Sequence, residues 1–258
     1  MGQNRPELLL TVPPHQLQAA CVYGLPIGHM AYRLGQGGHL LRSGAPVGMR
    51  GGLMVLDDTG WEGGDAGQIC REILRECASR GFDGIICDWE QKPAALSGRV
   101  IAELGDAAAR RGWPLYVPEA YGAFMEKVHV LIPSALSGGS LRQRLLDAGE
   151  RFGTDRLTLA VQRSAEDFFL PSPAGSGVPL TQDELKSRIH AMSPSVFFSD
   201  ELCAHYFTYM SRQSGAHFVL FDDAGSIRKK LMLSRALGVK QAVLAYPEVS
   251  DLLPALLS

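Results

Sequence analysis

The sequence predicts an α/β protein of the (β/α)8 TIM-barrel class, and three observations carry that prediction. From residue 53 onward, short apolar runs alternate with amphipathic segments, the pattern of repeated strand–helix units around a parallel sheet. The chain has 258 residues, about the length that eight such units need. No internal repeat or linker divides it, so residues 1–258 read as a single domain.

Six strands follow from the apolar runs: Leu53–Asp57, Gly84–Glu90, Leu115–Glu119, Val128–Pro133, Leu157–Gln162 and Gln241–Tyr246. Five helices have readable ends. The first, Ala66–Arg80, sets Ile69, Ile73, Leu74 and Cys77 on one face, with Asp65 placed to cap it and Gly81 to end it. The second, Val100–Arg111, turns Ile101, Leu104 and Ala108 inward and finishes on Arg110 and Arg111, cations at the negative end of the helix dipole. A third covers Leu141 to about Phe152, a fourth opens with the capping box Thr181-Gln-Asp-Glu184, and a fifth runs from Ser226 to Leu237 before Gly238. The remaining strands must come from the first fifty residues and Ser195–Phe221. Within residues 1–52, the Gly-rich stretch 20–52 resists assignment strand by strand. Arg163–Leu180, with its Pro-Ser-Pro-Ala-Gly-Ser-Gly core, reads as a mobile loop at the barrel rim.

The chain is 46% hydrophobic with a formal net charge of -2, and its Lys and Arg residues are dispersed, which argues against nucleic acid and against a membrane surface as partners. The start, MGQNRPELLLTVPPHQ, has too short an apolar run for a secretory signal, and no stretch approaches a membrane span. Cys21, Cys70, Cys77, Cys87 and Cys203 are odd in number and form no C-x-x-C pair, so a reducing, cytoplasmic setting is expected rather than a disulfide framework or a zinc site. The seven histidines show no ligand spacing, and His129 and His205 read as structural. Asp222-Asp223 fits a loop before a helix better than a metal site, so neither metal nor cofactor is expected. The glycines of Gly35-Gln-Gly-Gly38 and Gly48-Met-Arg-Gly-Gly52 lack the context of a phosphate loop and read as turns. Oligomeric state is not legible.

The chemistry concentrates in FDGIICDWE, residues 82–90. In a strand Ile86, Asp88 and Glu90 share one face and Ile85, Cys87 and Trp89 the other. If the first face looks into the barrel, both carboxylates emerge at the C-terminal mouth, where barrel enzymes keep their chemistry. An ionised Asp88 would then raise the pKa of Glu90 toward that of a general acid. The same acids would also serve to cap a helix or pair with Lys or Arg, and the strand alone does not decide. Cys87 falls on the outward face, away from any pocket. Among the aromatic residues Phe197, Phe198, Tyr206, Phe207 and Tyr209, core packing and a sugar-stacking wall are both open, with Asp200 and Tyr206 the polar groups closest to a candidate pocket.

Phe82-Asp83-Gly84-Ile-Ile-Cys-Asp88-Trp-Glu90 resembles the strand-four signature of glycoside hydrolase family 18, the chitinase-like family, which reads Asp-x-x-Asp-x-Asp-x-Glu in a Phe-Asp-Gly context. The resemblance continues in order through Tyr121–Val128, Phe221–Leu231 and Leu237–Tyr246, so it spans roughly residues 53–247. It implies a (β/α)8 barrel and a retaining, substrate-assisted cleavage of N-acetylhexosamine linkages in a glycan or peptidoglycan-type substrate. By this resemblance Glu90 matches the proton donor, Asp88 the acid that orients the 2-acetamido group, and Asp83 a supporting, more structural acid.

The departures fall around those two acids. The middle acid of the motif is replaced by Ile86, which removes a proton-sharing neighbour of Asp88. The Met-x-Tyr pattern of the sixth strand is not visible in Val128–Leu136. The tryptophan that forms the sugar floor in the last strand aligns with Ala245 or, as a substrate-binding aromatic residue, Tyr246. Two readings therefore stand: a divergent glycosidase, and a catalytically inactive barrel that binds a glycan or a protein partner.

Overall fold

Parallel strands whose residues are buried on both faces need helices around them, and the computed structural model, which describes residues 5–43, 50–170, 177–212 and 214–258, arranges them so. In chain order the strands are β1 (Glu7–Val12), β2 (Ile27–Leu34), β3 (Leu40–Arg42), β4 (Leu53–Asp57), β5 (Gly84–Asp88), β6 (Leu115–Pro118), β7 (His129–Pro133), β8 (Leu157–Val161), β9 (Ala165–Leu170), β10 (Val178–Pro179), β11 (Phe197–Ser199), β12 (Ala204–Ser211), β13 (Gly215–Phe221) and β14 (Gln241–Ala245). Strands β1, β2, β4 to β8 and β14 pair in parallel, and β14 returns to β1 to close an eight-stranded barrel. Strand β3 folds back antiparallel on β2 through a turn that carries Gly37 and Gly38 at positive φ. The (β/α)8 expectation holds.

Both unassigned barrel strands lie in the first fifty residues, as β1 and β2. The segment Ser195–Phe221 contributes nothing to the barrel. It forms β11, β12 and β13, which join β9 and β10 in an antiparallel sheet of order β10-β9-β13-β12-β11 between β8 and the following helix. Connection length explains the difference. Residues 212–214 alone separate β12 from β13, whereas parallel neighbours need a crossover of a dozen or more residues. Arg163–Leu180 is likewise not simply a rim loop: β9 pairs with β13 along its whole length. Residues 171–176, the core of that expected loop, lie outside the described residues, as do Gly48 and Met49 of the second glycine stretch.

Side-chain alternation divides the barrel into two apolar layers. Leu9, Leu53, Val55, Ile86, Tyr116 and Val243 fill its interior. Met54, Leu56, Ile85, Cys87, Leu115 and Val117 point outward against helices Ala66–Arg80 and Ala95–Ala109. Asp65 caps the first of these by accepting from Gln68 N–H, and Gly81 ends it at φ 69°. The second begins five residues before the expected Val100, with Ser97 Oγ accepting from Ala94 N–H at 2.8 Å. Gly98 inside it marks a close contact: a Cβ there would lie 2.5 Å from the Phe124 ring. Helices Leu141–Phe152 and Gln182–Met192 fall where the sequence puts them, and the latter covers one face of the inserted sheet through Leu185 and Ile189. The last long helix, Ala224–Ala236, is capped by Asp223, which accepts from Ser226 N–H at 2.8 Å.

The insertion is fastened where its two ends meet. Asp222 N–H donates to Ser164 O and Ser164 N–H donates to Asp222 Oδ2, at 2.8 and 2.9 Å. The same buried carboxylate accepts from Ser226 Oγ at 2.7 Å and pairs with the buried Lys230 at 2.6 Å. Removing one member of such a pair strands the other charge. Lys230→Met is expected to cost about 3–5 kcal/mol in urea denaturation, and the double variant Lys230→Met, Asp222→Asn less than Lys230→Met alone.

Candidate active site

The acidic mouth is built from the C-terminal ends of two neighbouring strands. Strand β4 ends in Asp57 and runs into Asp58; β5 ends in Asp88 and runs into Trp89 and Glu90. Asp58 is buried, and its two oxygens accept from the backbone N–H groups of Glu90 and Gln91 at 3.0 and 3.1 Å. Gln91 returns a bond from Nε2 to Asp58 O at 2.6 Å, and Tyr121 OH donates to Gln91 O at 3.0 Å. Trp89 is buried between Trp61 and Tyr121, with ring centroids 5.1 and 5.2 Å away. The chain segment carrying Glu90 is therefore held by an anion beneath it and by an aromatic cluster behind it.

Alternation along β5 follows the sequence reading. Ile86 faces the barrel interior, Ile85 and Cys87 face the helices, and Asp88 opens onto a cavity of about 560 Å³ lined by Met30, Arg33, Leu41, Arg42, Val55 and Asp57 among others. Cavities of that size suit a small ligand or part of a chain. Cys87 is fully buried and its thiol is pushed far up by desolvation, so it is no nucleophile. Ile86 belongs to an apolar layer: a Cβ on Gly28 would meet Val55 at 2.9 Å and Ile86 at 3.1 Å. An acid in its place would be buried there.

Asp88 is exposed at the mouth, although the barrel wall stands close around its carboxyl. Desolvation raises its pKa first, and the charges of Asp57, Glu90, Asp58 and Glu248 raise it further. The group whose proton affinity the surroundings raise is therefore Asp88. Asp57 lies opposite Asp88 in the β4–β5 register, and its Oδ1 accepts from Thr59 N–H at 2.6 Å.

The other sequence candidates are dispersed. Asp83 sits ahead of β5 at the opposite end of the barrel, roughly 17 Å from Asp88 at ~3.3 Å per residue. Tyr246 does not join the mouth: it is buried in the outer layer, with Tyr23 at 6.4 Å, because alternation turns Val243 and Ala245 inward and Leu244 and Tyr246 outward. Ala245 faces the mouth instead. Asp200 is exposed on the insertion and pairs with Lys229 at 2.7 Å, outside the acidic cluster. Tyr206 lies on the insertion too, stacked with Phe197 and Phe218 at 5.6 and 5.1 Å. His129 stacks on Tyr116 inside the barrel, and His205 lies 3.4 Å from Asp223. Sequence reasoning missed Asp57 and Asp58, although a strand ending in two acids beside another acid-ended strand was the available signal. Among the described residues no group of His, Cys, Asp and Glu is placed to hold a metal ion, and no helix is long and apolar enough to cross a membrane.

Comparison with solved structures returns the same architecture repeatedly. The chitinase of Chromobacterium violaceum superposes with a TM-score of 0.70 at 16% identity, covering 96% of this chain and 97% of that one. The spore cortex-lytic enzyme SleL of Bacillus cereus gives 0.69 at 15%, covering 99% and 75%. A family 18 chitinase from Cycas revoluta, solved with (GlcNAc)3, gives 0.63 at 12%, covering 96% and 98%. The fold is that of the chitinase-like family 18 barrels. No family model and no curated protein matches the sequence. Identities this low carry the architecture and leave the chemistry to the residues of this chain.

Two outcomes are expected from this site. Asp58→Asn, which leaves one of the two backbone N–H groups without its carboxylate acceptor, is expected to lower stability by about 2 kcal/mol in urea denaturation. Because Asp88 has a raised pKa, its ionised form is the disfavoured one; this stability cost is absent below the ordinary carboxylate range, grows from there up to the raised pKa and is constant above it. Asp88→Asn is therefore expected to raise the Tm at pH 7, with the gain vanishing below about pH 4 in thermal melts.

Proposed function

We propose that this protein is a glycosidase acting on an N-acetylglucosamine-containing glycan of the chitin or peptidoglycan type. Glu90 protonates the glycosidic oxygen, and Asp88 holds the 2-acetamido group while its carbonyl oxygen attacks the anomeric carbon, in the substrate-assisted variant of retention. The observation that carries this reading is the joint placement of Asp88 and Glu90 at the barrel mouth, fixed from below by Asp58 and opening beside a cavity of ligand size. A packed barrel gains nothing from clustered like charges there: Asp88 stands among Asp57, Asp58, Glu90 and Glu248, a cost that a binding or catalytic site explains. The fold shared with a cortex-lytic enzyme and with chitinases is consistent with a glycan of that class.

A second reading, a silent barrel that binds a glycan or a protein partner, is favoured by one specific feature. Ala245 stands where an aromatic floor would support a sugar ring, and Tyr246 is turned into the outer layer. One experiment separates the two. Hydrolysis of N-acetyl-chitooligosaccharides and peptidoglycan fragments is expected for the wild type and should fall by about 10²–10⁴-fold in Glu90→Gln. Equal background rates in both would remove the glycosidase reading. Glycan affinity unchanged by Glu90→Gln, without turnover, would establish the binding one.

A further inference from the structure

A second cluster of titratable and nucleophilic side chains lies in the insertion, at the end of its sheet farthest from the fastening at Ser164 and Asp222. Residues 212–214 turn β12 into β13 there, and the last of them, Ser214, is exposed. Its N–H donates to Ser211 Oγ at 3.3 Å, which ties the turn to its own strand. Three residues further on, His217 is buried on the face of the sheet that helix Gln182–Met192 covers. Ser214 Oγ lies 2.7 Å from His217 Nε2, and His217 Nδ1 lies 2.9 Å from Oδ1 of the buried Asp167 on β9. A serine, a histidine and a carboxylate thus stand in one line of hydrogen bonds.

The proton positions in that line follow from Asp167. Burial alone would raise its pKa, but hydrogen bonds from His217, Tyr209 and Arg188 outweigh burial and hold the carboxyl below the ordinary carboxylate range. An ionised carboxylate only accepts, so Nδ1 of His217 carries the hydrogen and donates it. In the neutral imidazole Nε2 is then the acceptor, and Ser214 Oγ–H donates to it. That tautomer is the one a histidine needs to act as general base toward a serine. Asp167 Oδ2 accepts from Tyr209 OH at 2.9 Å and from Arg188 Nη1, so neither carboxyl oxygen is left to turn away. The imidazole is held as well: Tyr209 on β12 stacks on it with centroids 4.3 Å apart, and Phe169 on β9 flanks it at 4.5 Å. Pinning an exposed turn requires no buried carboxylate behind the histidine, and hydrocarbon in its place would cost the fold less.

We propose that Ser214, His217 and Asp167 form a second catalytic site, a serine nucleophile with its general base, which hydrolyses short-chain acyl esters presented to the exposed turn. The site is separate from the acidic mouth and does not rest on the glycosidase reading. Phe169, 44% exposed beside His217, offers an apolar surface suited to one small acyl or aryl group. Ser214 Oγ attacks the acyl carbon and forms the Oγ–C bond while its proton passes to His217 Nε2. The bond from the acyl carbon to the alkoxy oxygen then breaks, and the departing oxygen takes that proton and leaves as the alcohol. Water attacks the acyl-serine, giving one proton to Nε2; the carboxylic acid departs and Oγ recovers its proton. Ser214 and His217 are the catalytic residues, and Asp167 is a positioning residue that fixes the tautomer of His217.

A fluorophosphonate tests the nucleophile directly, because an activated serine forms an Oγ–P bond as the P–F bond breaks and hydrogen fluoride is lost. One phosphonyl group per chain is expected, located on Ser214 by peptide mass spectrometry. Ser214→Ala changes only an exposed turn residue, and it should take up none while giving the wild-type circular dichroism spectrum. With p-nitrophenyl acetate as substrate, the wild type should pass through an acetylated Ser214 and exceed Ser214→Ala by about 100-fold or more. Asp167→Asn, which permits the other tautomer, should lower kcat by about 100-fold or more with little change in KM. Failure of the wild type to be phosphonylated at Ser214, or equal ester hydrolysis by Ser214→Ala, overturns the proposal and leaves the three residues as a clamp on the turn. A folded Asp167→Asn with wild-type kcat overturns the positioning role. Should that variant fail to fold, the phosphonylation of the wild type still decides the site.

Discussion

The mouth of this barrel depends on one buried carboxylate. Asp58 leaves β4 and accepts from two consecutive backbone N–H groups of the chain leaving β5, so that the ends of both strands are tied by charge-assisted bonds. An anion buried to this degree is tolerated only when its oxygens are satisfied, and here the partners are the amides that would otherwise have no strand to pair with. Gln91 and Tyr121 add two further hydrogen bonds to this loop, and Trp89 packs between Trp61 and Tyr121. Glu90 therefore projects from a segment whose backbone has little choice of position.

Above that clasp, the period of two along β5 assigns the tasks. One face continues the outer apolar layer through Ile85, Cys87 and Trp89, and the other passes from an apolar barrel layer at Ile86 to a polar mouth at Asp88. Ile86 is thus a packing residue in a well-filled layer with Val55, against which even a methyl on Gly28 would clash. A carboxyl group at that depth would be surrounded by hydrocarbon. The same group at Asp57 reaches solvent, keeps a backbone donor and still adjoins Asp88. The chain has its neighbouring acid where desolvation costs least.

Most of this was legible wherever the signal was local. Helix Ala66–Arg80 showed both ends because Asp65 and Gly81 act on their own helix, and six barrel strands stood out as apolar runs bounded by polar residues. The failures share a different cause. Strand β1 is buried along Leu8–Val12 on both faces and shows no alternation to read, so it registers only as a short apolar run. Strands β12 and β13 have barrel-like composition, and only their three-residue connection excludes them from a parallel sheet. Tyr246 lies one residue out of phase with the mouth-facing Ala245, and a shift of one along a strand moves a side chain to the other face. Asp57 and Asp58 passed unnoticed because their role lies in register with another strand, which a single strand does not display.

The surroundings of the acids also show which side of the mouth carries apolar surface. At the end of β14 the inward position is Ala245, whose methyl group offers little to a ring lying over the barrel. On the opposite flank, Met30 from β2, Leu41 from the antiparallel β3 and Val55 from β4 meet in the cavity that Asp57 and Asp88 close. Strand β3 is what makes this possible, since it folds back over β2 and brings Leu41 and Arg42 to the rim. The β2–β3 flank of the mouth therefore presents aliphatic side chains and guanidinium groups, and the β14 flank little more than the methyl group of Ala245.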